Sequence, residues 1–539
     1  MSASAKTQAN KVSERPVLGD LGRKAFSFPA FLGVLLVAGT FLALLGGLQT
    51  VSSDPVSASN FWLQGDTWWH LAIGRQILAT HSWPRVDIYS FTMRGEPWIA
   101  YEWFGEVIMA AAWEIGHLQG LMVLLTALSG TVILLFFYYS YLRTRNAMAS
   151  FLACAALLPL ISLSFPLRPQ LLGYAFLVIT LITFEKFRQG HSKALWALPA
   201  VFLIWVNAHG TFVLGFLVLG ACWAGGLWEF HFGSIYAKRW TNTQRRHLEL
   251  AALFCLIASI LTPYGTRLAA FPFEMPLFQP VSIKIVTEFE PFPLFSTGGA
   301  MFFGALVILC LALLTGRLGC QLSDLILLTL AAVETLLHSR FILLFVPLFA
   351  PFLAELFGHW LPKRQTHVTR PVANALLMAC IVLGIVKLFP SESRLQAKVK
   401  LTAPVKAAGF ISSHPSLGKM FANYDWGSYL MFDLGTAHQV FIDGRLDLYE
   451  GSGVFQDYLT VYWRRPGMWA VLSKYNIQSC LARRGSSLET KLAGSPEWKE
   501  IYHDPLSVIF VKTGRETGAG LRSAAHADRL APSSRQNPG

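Results

Sequence analysis

Long apolar runs recur along this chain from Phe28 to Pro390, each near the roughly 20 residues that a helix needs to cross a lipid bilayer. They fall at about 28–50, 118–142, 147–164, 169–185, 194–208, 211–230, 248–263, 299–315, 323–337, 341–359 and 372–389, which gives about eleven spans. A soluble fold cannot hide so many helices that are apolar on every face. Composition agrees, with 53% hydrophobic residues, 14% charged residues and a mean hydropathy of +0.46. Soluble domains carry roughly 25% charged residues, so a cytosolic enzyme, a disordered protein and a disulfide scaffold are excluded. Of the seven cysteines, only Cys480 falls in the long hydrophilic tail, so no disulfide forms within that region. The first run follows about 27 polar residues, is too long for a signal peptide and lacks a small-residue cleavage site, so a retained helix is expected.

Basic residues orient the spans. With residues 1–27 in the cytoplasm, Arg143, Arg145, Lys186, Arg188, Lys193, Lys238, Arg239, Arg245, Arg246, Arg317, Lys363, Arg364 and Arg370 also fall inside, whereas the opposite loops are poor in Lys and Arg. The segment 103–116 is too short to span and would invert every later loop, so it reads as interfacial. Much of the net charge of +13 is then an insertion signal beside anionic lipid, and nucleic acid is not an expected partner. The expectation is a multi-pass cell-membrane protein, in a bacterial inner membrane, with residues 51–117 and everything after 390 outside the cytoplasm.

The composition changes abruptly after residue 390. Segments 421–424, 439–442, 477–481, 498–502 and 507–511 read as short strands, with helical stretches such as 455–463 between them, so 391–512 is expected to form an α/β domain. The final segment, 513–539, is rich in Gly, Ser, Ala, Arg and Pro without periodicity, and reads as a disordered tail. There is no fixed-period repeat and no GxxxxGK[ST] phosphate loop, which weighs against ATP-driven transport by this chain alone.

Ionisable groups near membrane helices are costly, so their placement points to function. Here Asp66, Arg168, Asn207, His209, Arg267, His338 and Arg340 gather at the expected outer ends, while span interiors are nearly free of charge. That pattern favours an outer-face site over a polar path through the bundle. The 51–117 loop is long for a connector, and Trp69, Ile73 and Ile77 recur every fourth residue, which predicts a helix over 66–79 lying on the membrane with its apolar stripe down. Asp66 opens that helix and reads either as an N-cap or as a functional acid. Trp68, Trp69, Trp83, Trp98 and Trp103 read equally as an interfacial aromatic belt.

The order of a first span, an acid at its outer end, an interfacial helix, Trp83-Pro84-Arg85, Gly95-Glu96-Pro97-Trp98, Glu102-Trp103, a second interfacial helix and a second span resembles the first extracytoplasmic loop of GT-C glycosyltransferases. That superfamily includes the protein O-mannosyltransferases and the lipid A aminoarabinose transferases. More narrowly, the chain is similar to bacterial membrane proteins of that kind that begin DxxWHLAxGRxIL and carry FIDGRxDLY in an extracytoplasmic α/β tail, here Phe441 to Tyr449. The resemblance implies a GT-C-like polytopic helical fold over 28–390 and a catalytic role for Asp66. It also implies a polyprenyl-phosphate-linked sugar donor and an extracytoplasmic acceptor that is a glycan, lipid or protein. Paired acids in metal-dependent members imply that Glu102 assists Asp66 or holds a divalent cation, Mg or Mn, with it. Where the aminoarabinose transferases have Lys-Pro-Pro, this chain has Ala100-Tyr101-Glu102-Trp103, which weighs against their lipid A substrate.

The remaining candidates are cations and polar groups at the outer rim. Arg168 lies between two prolines in Pro166-Leu167-Arg168-Pro169, and Arg340 follows His338 at another rim. Guanidinium forks match phosphate oxygens, although arginines that reach for lipid headgroups leave the same sequence. Asn207 and His209 flank a tight turn, and Trp69 and His70 share the Asp66 motif, so all four are candidate substrate contacts alongside Arg168, His338 and Arg340. In the tail, Asp443-Gly444-Arg445-Leu446-Asp447 reads either as a ligand-binding loop or as ordinary turn chemistry. A glycosyltransferase is the leading expectation. Its rivals are a transporter or lipid flippase, and a noncatalytic envelope-assembly protein.

Overall fold

A computed structural model describes residues 20–49, 63, 65–162, 165–285, 289–361 and 370–513. The expected disordered tail and most of the N-terminal segment lie outside the described residues. The chain divides into two compact units, one built from Met1–Arg85 and Ile99–Lys398 and the other from Val86–Trp98 and Val399–Gly539.

Each expected apolar run of the first unit falls on a helix. These are α1 (Phe28–Gln49), α3 (Trp103–Thr144), α4 (Ala147–Ser162), α5 (Gln170–Arg188), α6 (Leu198–Ala208), α7 (Phe212–Gly225), α8 (Asn242–Ile260), α10 (Thr297–Leu314), α11 (Leu322–Leu337), α12 (Ile342–Trp360) and α13 (Pro371–Leu388), with α2 (Gly65–Thr80) and α9 (Thr266–Phe278) between them. Among the described residues, six helices are long and apolar enough to cross a membrane: those within Phe28–Gly47, Trp103–Thr144, Gln170–Arg188, Thr297–Leu314, Ser339–Trp360 and Pro371–Leu388. The protein is a multi-pass helical membrane protein. No residue of α13 is buried, although it packs along α1, and a surface of that apolarity is at rest only against lipid. Helix α3 is broken at Gly116 and His117, where the backbone leaves the helical region and His117 takes φ +47°. The break separates the short segment beginning at Trp103 from the long apolar stretch beginning at Leu118.

The stripe expected to face lipid faces protein instead. Trp69, Ile73 and Ile77 of α2 are buried, and so are Trp68, Leu71 and Ala72 on its other side, so the N-terminal half of the helix lies within the unit, whereas Arg75 and 78–80 are exposed. Gly74 is the reason it packs so closely, because a Cβ there would collide with the carbonyl of Glu106 on α3.

A buried ionic cluster ties one end of this unit. Arg143 at the end of α3 and Arg188 at the end of α5 both bind the Asp324 carboxylate near the start of α11, at 3.0 and 2.5 Å. Arg143 also reaches Glu355 of α12 at 3.5 Å. A carboxylate bound by two guanidiniums offsets its own desolvation, which makes burial of these charges tolerable.

The second unit combines helices with a four-stranded sheet. Its four strands are β4 (Met420–Phe421), β5 (Ser479–Arg483), β6 (Trp498–His503) and β7 (Ser507–Lys512), following the small sheet β1 (Phe230–Phe232), β2 (Ile235–Ala237), β3 (Cys320–Gln321) of the first unit, and they lie in the order β4-β5-β7-β6. The expected strand at 439–442 is reduced to single bridges from Val440 to Met420 and Ser90. The helix expected at 455–463 spans Val454–Tyr462. The sequence reading placed 86–98 in the first loop, whereas the structure joins this segment to the second unit. Asp87 explains the union. Its carboxylate accepts from the Ser90 hydroxyl at 2.7 Å and from Arg445 at 2.6 Å, while Arg445 grips Asp443 with two further bonds and Tyr449 donates to Asp443. Arg445, Asp87 and Asp443 have fully buried side chains, and the guanidinium lies over the Trp98 ring. The Asp-Gly-Arg motif is therefore enclosed in a structural knot.

Candidate active site

The first unit brings most of the predicted residues into one cluster. Helix α2 begins at Gly65, so Asp66 stands in its first turn, where its carboxylate accepts from Trp69 Nε1 at 3.2 Å and pairs with Arg168 at 2.9 Å. Arg168 precedes α5 in the proline-bounded turn, and Thr67 Oγ1 donates to the carbonyl of Leu167 beside it. Gly105 permits this approach of chains, because a Cβ there would run into Pro169. Asp66 and Arg168 are the open side of the cluster, with side chains 27% and 17% exposed.

One turn along α2, His70 is enclosed between two acids. Its Nδ1 lies 3.2 Å from Glu106 Oε1 and its Nε2 3.6 Å from Glu102 Oε2. Glu102 meets a second histidine, with His209 Nε2 3.2 Å from its Oε1. The turn between α6 and α7 fixes that ring. The Thr211 backbone N–H donates to His209 Nδ1 at 3.0 Å, so Nε2 carries the hydrogen and faces Glu102. Burial, then the charges of Arg340 and Arg168, pull the His209 pKa down to about 3. Burial, then Arg168 and His209, hold His70 well below the usual histidine range. Both rings are thus neutral at physiological pH, and a neutral histidine can donate at one nitrogen while accepting at the other.

The other predicted residues have plainer settings. Asn207 accepts from Trp103 Nε1 at 2.8 Å and donates to the carbonyl of Leu203, so it orients the start of α3. The Trp69 ring lies tilted against His70, with ring centroids 3.7 Å apart. Arg340 lies over the Phe289 ring and within electrostatic reach of His209. His338, just past the end of α11, pairs with Glu334 in the last turn of that helix at 3.4 Å. For the divalent cation implied by the resemblance, the donor set does not fit. Asp66 is paired with a guanidinium, Glu102 lies against two histidine rings, and Arg168 acts on both of those rings. Among the described residues, no group of three or more His, Cys, Asp or Glu is arranged to hold a metal ion.

Glu106 is the residue that sequence reasoning passed over. It is fully buried, and the signal was available: from Glu102 it stands four residues on, one helical turn along the same face. Tyr264 was missed as well. Its hydroxyl donates to the carbonyl of Pro84 and accepts from the backbone N–H of Ala100, pinning both ends of the loop that leads to Glu102.

No family model and no curated protein sequence matches the chain. Among solved structures, it is similar to the oligosaccharyltransferase of Archaeoglobus fulgidus tethered to an acceptor peptide containing an NVT sequon. The identity is 12% and the TM-score 0.48, over 85% of this chain and 70% of that one. A second structure, of the archaeal oligosaccharyltransferase AglB from the same organism with an inhibitory peptide and a dolichol-phosphate, aligns at 12% identity and TM-score 0.44, over 84% and 69% of the two chains.

Proposed function

We propose that the chain is a membrane glycosyltransferase of GT-C type that moves a sugar from a polyprenyl-phosphate-linked donor to an extracytoplasmic acceptor. The observation that carries this reading is the Asp66–Arg168 pair, a half-open carboxylate and guanidinium 2.9 Å apart behind the first apolar span. The two groups match the two demands of the reaction. A base must take a proton from the attacking hydroxyl or amine, and a cation must receive the charge that develops on the departing phosphate.

The donor phosphate takes the Arg168 fork, which a carboxylate and a phosphate can each occupy in the same geometry, and Arg340 adds a second positive charge. Release of Arg168 from Asp66 then frees the carboxylate as proton acceptor. The acceptor oxygen or nitrogen bonds to the anomeric carbon while the bond from that carbon to the phosphate oxygen breaks, and the electron pair leaves with the phosphate. The proton comes to rest on Asp66 and leaves with phosphate or water. Trp69 holds Asp66 in place through its indole N–H.

The test uses the purified full chain in proteoliposomes with polyprenyl-phosphate-linked hexoses, following release of polyprenyl phosphate. Asp66→Asn keeps size and hydrogen-bonding capacity but cannot take the proton. Loss of its activity by about 100-fold or more is expected, with thermal stability near wild type. A variant that retains the wild-type rate would remove Asp66 from the chemistry and sink this reading.

A further inference from the structure

The second unit carries a groove that the transfer step above does not use, and two short amphipathic helices build it. In Met468–Lys474, Met468 and Leu472 stand four residues apart and are buried, which leaves Trp469 and Ser473, likewise four apart, on an exposed face. In Ser487–Ala493, Leu488 and Leu492 are buried in the same way, and Thr490 and Lys491 stay exposed. Glu497, just ahead of β6, and Lys512, at the end of β7, complete the lining of a groove of about 710 Å³. Backbone bonds fix the loop that closes it. The Thr513 N–H donates to the Glu497 carbonyl at 2.6 Å, and Thr513 Oγ1 donates to the Pro496 carbonyl at 3.1 Å. The buried Trp498 donates its backbone N–H to the Ser495 carbonyl at 3.2 Å. Lys512 and Glu497 meet at 3.7 Å with both side chains exposed, and such a pair opens to a ligand at little cost.

The lining selects a chemistry. Among the described residues, Trp469 is its only aromatic side chain, and 38% of it is exposed, an apolar plane left to water. A pyranose ring has a face of C–H groups and a rim of hydroxyls, so its face covers an indole while Ser473 and Thr490 exchange hydrogen bonds with its rim. Lys491 and Lys512 bring two ammonium groups against the single carboxylate of Glu497, so the groove carries net positive charge. Its volume falls in the roughly 300–1,000 Å³ range of small-molecule sites. An extended peptide is held instead by a strand edge or by apolar pockets for alternate side chains, and this lining offers hydroxyls and charge in place of such pockets. We propose that the groove is a saccharide site for acidic glycans, with Trp469 as the stacking platform and Lys491 and Lys512 as the contacts for the sugar carboxylate. The site lies within one unit and does not rest on the transferase reading.

The experiment is saturation-transfer magnetic resonance on the purified full chain in detergent, read on the ligand. The probes are a tetrasaccharide alternating glucuronate and N-acetylglucosamine, the uncharged tetramer of N-acetylglucosamine, and an acetylated, amidated peptide of two glutamates that matches the acidic sugar in charge. The wild type should bind the acidic tetrasaccharide about tenfold more tightly than the neutral one and should give no transfer to the peptide. Trp469→Ala should weaken both saccharides about tenfold or more, and Lys491→Gln should weaken the acidic one alone. Both positions lie at the surface, so thermal unfolding should stay at the wild-type temperature. Absence of transfer to either saccharide, or equal binding by wild type and Trp469→Ala, would overturn the proposal. A peptide bound as tightly as the acidic sugar would overturn it as well, because the groove would then read charge and not the sugar. Asp66→Asn should bind the sugars as the wild type does, so loss of transfer activity and loss of this site are separate results.

Discussion

The cluster around Arg445 and the cluster around Arg168 use the same chemistry to opposite ends. In the second unit, one guanidinium is closed around Asp443 and Asp87 with every one of these side chains fully buried, so no partner is left to be exchanged. In the first unit, Arg168 meets Asp66 in a pair whose members are 17% and 27% exposed. Closure makes a keystone, whereas partial exposure leaves a pair open to exchange. Sequence pattern alone does not separate the two, because each arginine stands in a turn marked by Gly or Pro.

Breaking the closed cluster should cost the most. Arg445→Ala leaves two buried carboxylates without their cation, and removal of one partner from a buried pair costs about 3–5 kcal/mol. Limited proteolysis should show the second unit cleaved at temperatures where the wild type resists. Resistance equal to wild type would mean that the knot is dispensable and that the contrast drawn above is false. Next comes the packing that assembles the open cluster. Gly74→Ala pushes α2 off the Glu106 carbonyl, a strain of about 1–3 kcal/mol, and should lower thermal stability and separate His70 from Glu106.

Arg168→Lys sharpens the functional half of the comparison. Lysine keeps the charge but loses the planar fork, so affinity for a polyprenyl phosphate should fall about tenfold, roughly 1.4 kcal/mol, with stability unchanged. Combination with Arg340→Lys should be nonadditive if both meet one phosphate. The smallest effect belongs to the second unit. Burial pushes the Asp447 carboxyl up to about 6, despite the attraction of Arg445 and the bond it accepts from Trp98. A carboxyl that protonates more readily when folded than when unfolded adds stability that is fully present below the ordinary carboxylate range and lost as pH rises through about 6. Asp447→Asn, which can still accept from Trp98, should flatten that part of the stability curve as measured by thermal unfolding.

The apolar runs were legible because period and length alone specify a membrane helix, and Asp66, Arg168 and His209 were legible because charge at a rim is costly. The lie of α2 was not. Its every-fourth-residue stripe fits lipid or protein equally well, and Gly74 decides the matter through a close approach to a helix about 30 residues away, which no local pattern reveals. Membership of 86–98 in the second unit was hidden for the same reason. Asp87 and Arg445 are far apart in sequence, and only their burial together shows that they belong to one core. Glu106 was passed over because it sits inside an apolar stretch, although its spacing from Glu102 marked it.

The Asp324 cluster has a consequence for how the protein moves. Arg188 ends α5 while Arg168 stands just before its first residue, so the helix joins an ionic clamp to the candidate site across a length of about 28 Å. Helix α11 runs the other way, with Asp324 in its first turn and His338 after its last. The same helices are thus stapled at one end and end in proline, glycine and short turns at the other. A bundle built this way is held rigid where the ionic clamp joins its helices, and the freedom to shift is left to the opposite ends.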